Sequence, residues 1–147
     1  MKTEMKYFLM AALLPVFAAW STDSRAEAPQ LTVQVRTGQT AGAFTDGALL
    51  AQGTVIYTGE HSGFRVWSEG TINGAPQRLT LAGNRNPENR MNIRLTGRDW
   101  QADTERGQGI IHRTGDYSSA FNVEVDGNQN LPVDTWPLQL KAVVLIP

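Results

Sequence analysis

From Leu31 onward, apolar and polar residues alternate in short runs separated by turn residues. That is the two-residue period of half-buried strands, not the 3.6-residue period of helices. Leu31-Thr32-Val33-Gln34-Val35 is the first run, and Leu49 to Tyr57 is a longer one interrupted by Gly53, where a bulge is expected. Phe64 to Ser68, Gln77 to Leu81 and Met91 to Leu95 follow, the last with Met91, Ile93 and Leu95 on one face and Asn92 and Arg94 on the other. Gly109 to Arg113 reads as another short strand. Ser119 to Val125 sets Phe121, Val123 and Val125 against Asn122 and Glu124. The final run, Leu138 to Ile146, is long and strongly apolar: Leu138, Leu140, Ala142, Val144 and Ile146 share a face, with Gln139 and Lys141 opposite.

Asp46-Gly47, Asn73-Gly74 and Asp126-Gly127 have the chemistry of tight hairpin turns, and residues 83–89 form a longer polar loop. Short strands at this spacing with no helix between them predict an all-β fold, an antiparallel sandwich or small barrel. No linker, repeat or low-complexity tract divides the region, so residues 27–147 are expected to be one domain.

The beginning of the chain follows a different pattern. Lys2 and Lys6 precede an uncharged apolar run from Tyr7 to Trp20, and a polar stretch then ends in Ser24-Arg25-Ala26. A basic, apolar, small-residue order of this length is that of a secretory signal peptide, and it falls short of the ~20 residues that span a bilayer. Residues 1–26 are therefore expected to be removed by cleavage after Ala26, and the protein to be exported.

Charge and composition narrow the chemistry. The 147 residues carry a net charge of -1, and residues 27–147 hold ten basic against twelve acidic side chains, nine of the ten being arginine. That balance gives no electrostatic footprint for nucleic acid. With no cysteine, the chain has no disulfide framework, thiolate metal site or thiol nucleophile. His61 and His112 do not stand at zinc-ligand spacing. Asp126 to Asn130 begins like a calcium loop, but Leu131 stands where the sixth-position glycine belongs and Pro137 where the twelfth-position glutamate belongs. Asp99, Asp103 and Glu105 in one polar loop are expected to face solvent rather than to act as a catalytic pair. There is no phosphate loop, nucleophile elbow or dinucleotide fingerprint, so no catalytic, cofactor or metal residues are expected. Trp67 is expected to be buried, Trp100 and Trp136 to plug the edge of the core, and Arg113 to Asp116 to form a turn.

One resemblance supplies a function. His61-Ser62-Gly63-Phe64-Arg65-Val66-Trp67 followed by Asn73-Gly74 resembles the AfaD/DraD-like minor subunits of chaperone–usher fimbriae. So does Asp126-Gly127-Asn128-Gln129 leading into the last apolar strand, with Met91 to Leu95, Gly97, Trp100 and Gly107-Gln108-Gly109 between. The likeness covers nearly all of residues 31–146 and extends to invasins and Saf-type tip subunits, which form the distal end of surface fibres on Gram-negative bacteria. Relatives often carry two cysteines where Tyr57 and Val143 stand, so the resemblance implies a fold here without that staple.

The resemblance further implies an immunoglobulin-like sandwich lacking one strand, completed by a donor strand from a neighbour. The groove would lie between the first and last strands, lined by Leu31, Val33 and Val35 and by Leu138, Leu140, Ala142, Val144 and Ile146. An open groove of this kind leaves apolar surface and edge hydrogen bonds unmet, which implies a periplasmic chaperone and an outer-membrane usher as partners, and a major fimbrial subunit as donor. After cleavage only residues 27–30 precede Leu31, a reach of ~14 Å that includes Pro29, too little to donate a strand. The expected function is a minor or tip subunit that accepts a strand and contributes to adhesion or invasion, with a host-cell receptor as a further partner. The competing reading is a secreted carbohydrate-binding sandwich using Trp100, Trp136 and the Arg/Asn loops.

Overall fold

The alternating runs are strands throughout the computed structural model, which describes residues 2–10, 19–22, 29–36 and 41–147. The expected cleavage point after Ala26 lies outside these residues. In chain order the strands are β1 (Lys2–Met10), β2 (Ala19–Thr22), β3 (Gln30–Val35), β4 (Gly42–Phe44), β5 (Leu49–Ile56), β6 (Gly63–Ser68) and β7 (Thr71–Ile72). They continue as β8 (Arg78–Ala82), β9 (Arg90–Thr96), β10 (Gln101–Ala102), β11 (Ile110–His112), β12 (Ser118–Val125), β13 (Gln129–Leu131) and β14 (Thr135–Leu145). No helix occurs among the described residues.

Two six-stranded sheets form the sandwich, one in the order β10-β11-β6-β14-β1-β2 and the other in the order β3-β5-β12-β9-β8-β7, with β13-β4 as a small third sheet. Every recorded pairing is antiparallel. The order β3-β5-β12-β9 facing β6-β14 is the layout of an immunoglobulin-like sandwich, in which a further strand belongs beside β14. Here β1 stands in that place, paired with β14 along its whole length.

The inward-facing halves of the alternation meet between the sheets. Leu31, Val55, Phe64, Val66, Ile93, Val123, Val125, Trp136, Leu138, Leu140 and Ala142 are all fully buried in one continuous core. Burying an aliphatic or aromatic side chain contributes about 1.5–3 kcal/mol, so this shared core is what holds the short strands together.

Several expectations need correction. Gly53 does not bulge: it pairs in register with Val33 on one side and Phe121 on the other, and the ladder irregularity lies instead at Val123/Glu124. The glycine occupies its position because the tip of the Phe121 ring lies against it. Gly47, Gly74 and Gly127 have the positive φ expected of their turns, but only Asn73-Gly74 joins two strands that pair with each other. The two Asp-Gly pairs are corners leading into and out of the small β4–β13 sheet. The last strand begins three residues before the expected start, at Thr135, and ends at Leu145. Pro137 hid its beginning, since a proline argues against a strand interior. It is tolerated because pairing with β6 starts only at Leu140.

Candidate functional site: the edge of the last strand

β14 has two edges and two faces. Its inward face carries Trp136, Leu138, Leu140 and Ala142, all fully buried, and Val144 at 8% exposure. One edge pairs with β6 from Leu140↔Ser68 to Leu145↔Gly63. The other edge takes β1, from Lys2↔Val143 to Met10↔Thr135. In that register Thr3 stands opposite Ala142, Met5 opposite Leu140, Tyr7 opposite Leu138 and Leu9 opposite Trp136. Residues directly opposite in an antiparallel pair share a face, so a strand seated here directs alternate positions toward the inward face of β14.

Across the sandwich, β3 ends the other sheet and, among the described residues, pairs with β5 alone. Leu31 is fully buried, while Val33 and Val35 are half-buried against the core. β1 lies against both β14 and β3, the two strands expected to border the groove. Of the residues expected to line it, Ile146 alone falls beyond the strand ladder and is 57% exposed. The inward face of β14 bears no ionisable side chain, and Lys141 on the outer face pairs with Glu69 at 2.8 Å. Apart from the Trp136 indole N–H, this edge therefore presents backbone groups and apolar side chains.

Trp136 is the groove residue that sequence pattern alone did not assign, because the alternation Trp136-Leu138-Leu140 crosses Pro137. Its indole Nε1 is buried and has no hydrogen-bond partner. Trp100, by contrast, donates from Nε1 to the Ala120 carbonyl at 2.9 Å and is 8% exposed. With β1 seated, neither ring is open to solvent, so neither presents the aromatic platform that the carbohydrate-binding reading required.

The remaining candidate groups hold the frame. Asp103 is 1% exposed rather than solvent-facing: it accepts from Arg65 Nη1 at 2.8 Å and from the Arg106 N–H at 3.1 Å. Glu105 accepts from Arg65 and Arg113, and the Arg65 hydrogen bond holds its carboxyl below the usual range. These contacts draw residues 103–109 over the outer face of β6, where Arg106 lies 4.8 Å from the Trp67 ring. Trp67 is thus buried, as expected, but under a loop rather than in the central core. Gly109, at φ 77°, presses against Trp67, and a Cβ there would fall 2.1 Å from the Val66 carbonyl oxygen.

Arg94 gathers Asp46, Glu124 and Asp126 at 2.8, 3.2 and 3.3 Å, tying the two Asp-Gly corners to β9. Asp126 is thereby committed to arginine, also facing Arg78 at 3.7 Å. His61 lies 6% exposed with Nδ1 2.7 Å from the Gly59 carbonyl oxygen and Nε2 2.8 Å from that of Asp116. His112 Nδ1 lies 2.7 Å from Ser119 Oγ. At the other end of the domain Asp134, 2% exposed, accepts from the N–H groups of Arg85, Asn86 and Thr135 and from Asn89 Nδ2. Burial alone would push this carboxyl up, but the four donors outweigh it and hold it at about 2.

Comparison with known proteins agrees with this geometry. The Salmonella SafD adhesin structure superposes with a TM-score of 0.78 at 47% identity, over 80% of this chain and 84% of that one. The E. coli Hda pilus minor tip subunit HdaB does so with a TM-score of 0.75 at 27% identity, over 81% and 84%. This sandwich is that of the chaperone–usher fimbrial adhesin and tip subunits, and this chain is one of them. The model of the Enterobacteria AfaD invasin protein matches residues 40–142, and the chain belongs to that family. Among curated relatives, E. coli protein AggB is 29% identical over 85 residues, which span 57% of this chain and 59% of AggB.

Proposed function

We propose that the mature protein accepts, at the edge of β14, an extended strand from the adjacent subunit of its fimbria and sits at or near the fibre tip. The observation that carries this reading is β1, an antiparallel strand seated where the sandwich needs one more. In the exported form, residues 1–26 are removed as a signal peptide and β1 goes with them. The edge and the groove between β14 and β3 are then open, and an unpaired apolar edge of this length demands a partner. The periplasmic chaperone covers it before assembly, the usher passes the subunit outward, and the major subunit's N-terminal strand fills it in the fibre. With only residues 27–29 ahead of β3 after cleavage, the subunit is too short there to donate a strand in turn, and HdaB, to which the chain is similar, is a minor tip subunit. The role is structural and adhesive rather than catalytic, contributing to adhesion or invasion through a host-cell receptor at the cell surface.

The test is thermal unfolding of the exported chain with and without a synthetic peptide of the major subunit's N-terminal strand. The peptide is expected to raise Tm and sharpen the transition. A mature chain that already unfolds as a stable cooperative monomer, with a Tm the peptide leaves unchanged, overturns the reading.

A further inference from the structure

The groove has one polar group at its inner end. Trp136 is fully buried, and its indole N–H meets no acceptor. Buried donors are nearly always paired, so an orphaned one calls for a reason. The location supplies it. Between Thr135 and Gln139, β14 has no ladder with β6, whose pairing begins at Leu140; on that side the Asn84 N–H reaches the Thr135 carbonyl at 2.7 Å and the Glu69 N–H reaches the Gln139 carbonyl at 3.3 Å, one at each end of the stretch. The strand neighbour of Trp136 is therefore whatever occupies the open edge, and in this structure the residue opposite it is Leu9. Opposite residues lie with Cβ atoms about 4.5–5.5 Å apart on the same face, within reach of a side-chain hydrogen bond. A leucine at that position offers no acceptor.

We infer that Trp136 is a specificity-determining residue of the groove: its N–H selects a partner strand that carries a hydrogen-bond acceptor, a Thr, Ser or Asn side chain, at the residue opposite it. This rests on the strand-accepting function proposed above and adds a chemical requirement to it. The rest of the partner strand meets Leu138, Leu140 and Ala142 and is matched by apolar residues, so the acceptor is wanted at one register position alone. A single polar position in an otherwise apolar strand also fixes register, because sliding by two residues buries the hydroxyl or amide against Leu138 without a partner.

The experiment loads the exported chain with synthetic strand peptides that differ only opposite Trp136. Threonine and valine have nearly the same shape there. The threonine peptide is expected to bind on the order of tenfold more tightly than the valine peptide, the size of one buried hydrogen bond gained against one left unmade. The same exchange opposite Leu138 is expected to weaken binding. In Trp136→Phe the preference for threonine should collapse to less than twofold. Where that variant does not fold, the wild-type chain gives a second readout: the indole N–H resonance of Trp136 should move downfield and exchange more slowly with the threonine peptide than with valine. Equal binding of the two peptides, a threonine preference that survives Trp136→Phe, or an indole resonance indifferent to the peptide overturns the inference while strand acceptance stands. Failure of every peptide to bind overturns strand acceptance, and the inference with it.

Discussion

The tip of the Phe121 ring lies against Gly53. A Cβ built on the glycine would fall 2.2 Å from Phe121 Cζ and 2.5 Å from Cε1, well inside contact distance. The two residues are directly paired between β5 and β12, in the middle of the sheet. A strand-interior glycine ordinarily weakens a sheet, and here it is retained because the facing ring needs the space.

Gly53→Ala is accordingly expected to destabilise the domain by about 1–3 kcal/mol through overpacking. Denaturant unfolding measures it. Replacing Phe121 by Leu in the alanine background should recover part of the loss, although Phe121→Leu alone is destabilising. An alanine variant as stable as the parent would mean that the ring can move aside at no cost.

Asp134 ties residues 85, 86 and 89 to the start of β14, and its carboxyl is held at about 2 against an ordinary 3.8. A folded-state value below the unfolded one stabilises the protein fully above the unfolded value and loses that contribution as pH falls through the folded one. Stability should therefore decline between about pH 4 and pH 2. Asp134→Asn is expected to cost about 1–3 kcal/mol at neutral pH, since its amide NH2 opposes the donors at one oxygen position, and to flatten the acid limb of the curve. Asp46, lowered mainly by the Gly127 N–H, and Glu105 add to the wild-type decline with the same sign and remain in the variant, so the change is in slope rather than a complete loss.

Asp103 joins Arg65 to the loop that covers Trp67. Asp103→Ala removes a buried acceptor from both Arg65 and the Arg106 N–H. A loss of about 1–3 kcal/mol is expected, with faster hydrogen exchange confined to residues 103–109. Unchanged exchange in that loop would show that Glu105 and the arginine–tryptophan contact hold it unaided.

Trp100→Phe keeps a ring beside Phe121, whose centroid is 5.8 Å away, but deletes the hydrogen bond to the Ala120 carbonyl. The expected cost is about 0.5–1.5 kcal/mol. Adhesion should be unaffected, because the ring is buried. Adhesion lost at preserved stability would return Trp100 to the list of contact residues.

The longer strands, β3, β5, β6, β8, β9, β12 and β14, are legible from alternation because each buries one face, and a period of two leaves its mark on every such strand. Very short strands such as β7 and β10, with two residues each, leave no periodic trace. The small β4–β13 sheet was equally hidden, since its pairing depends on corners fixed by Arg94 rather than on local pattern. Asp103 looked like a solvated loop acid because nothing in its neighbourhood along the chain announces Arg65, 38 positions away.

The sequence by itself determined an all-β domain, the turn glycines and the apolar face of the last strand, properties written into neighbouring residues. It also carried the family likeness, which the comparisons bear out. Only the tertiary structure decided that β14 gives one edge to β6 and the other to β1, and that the Trp136 indole N–H is buried without a partner. Edge identity depends on which distant strands arrive beside each other, and a buried donor becomes an orphan only when every neighbour has been placed. Neither is a local property of the chain.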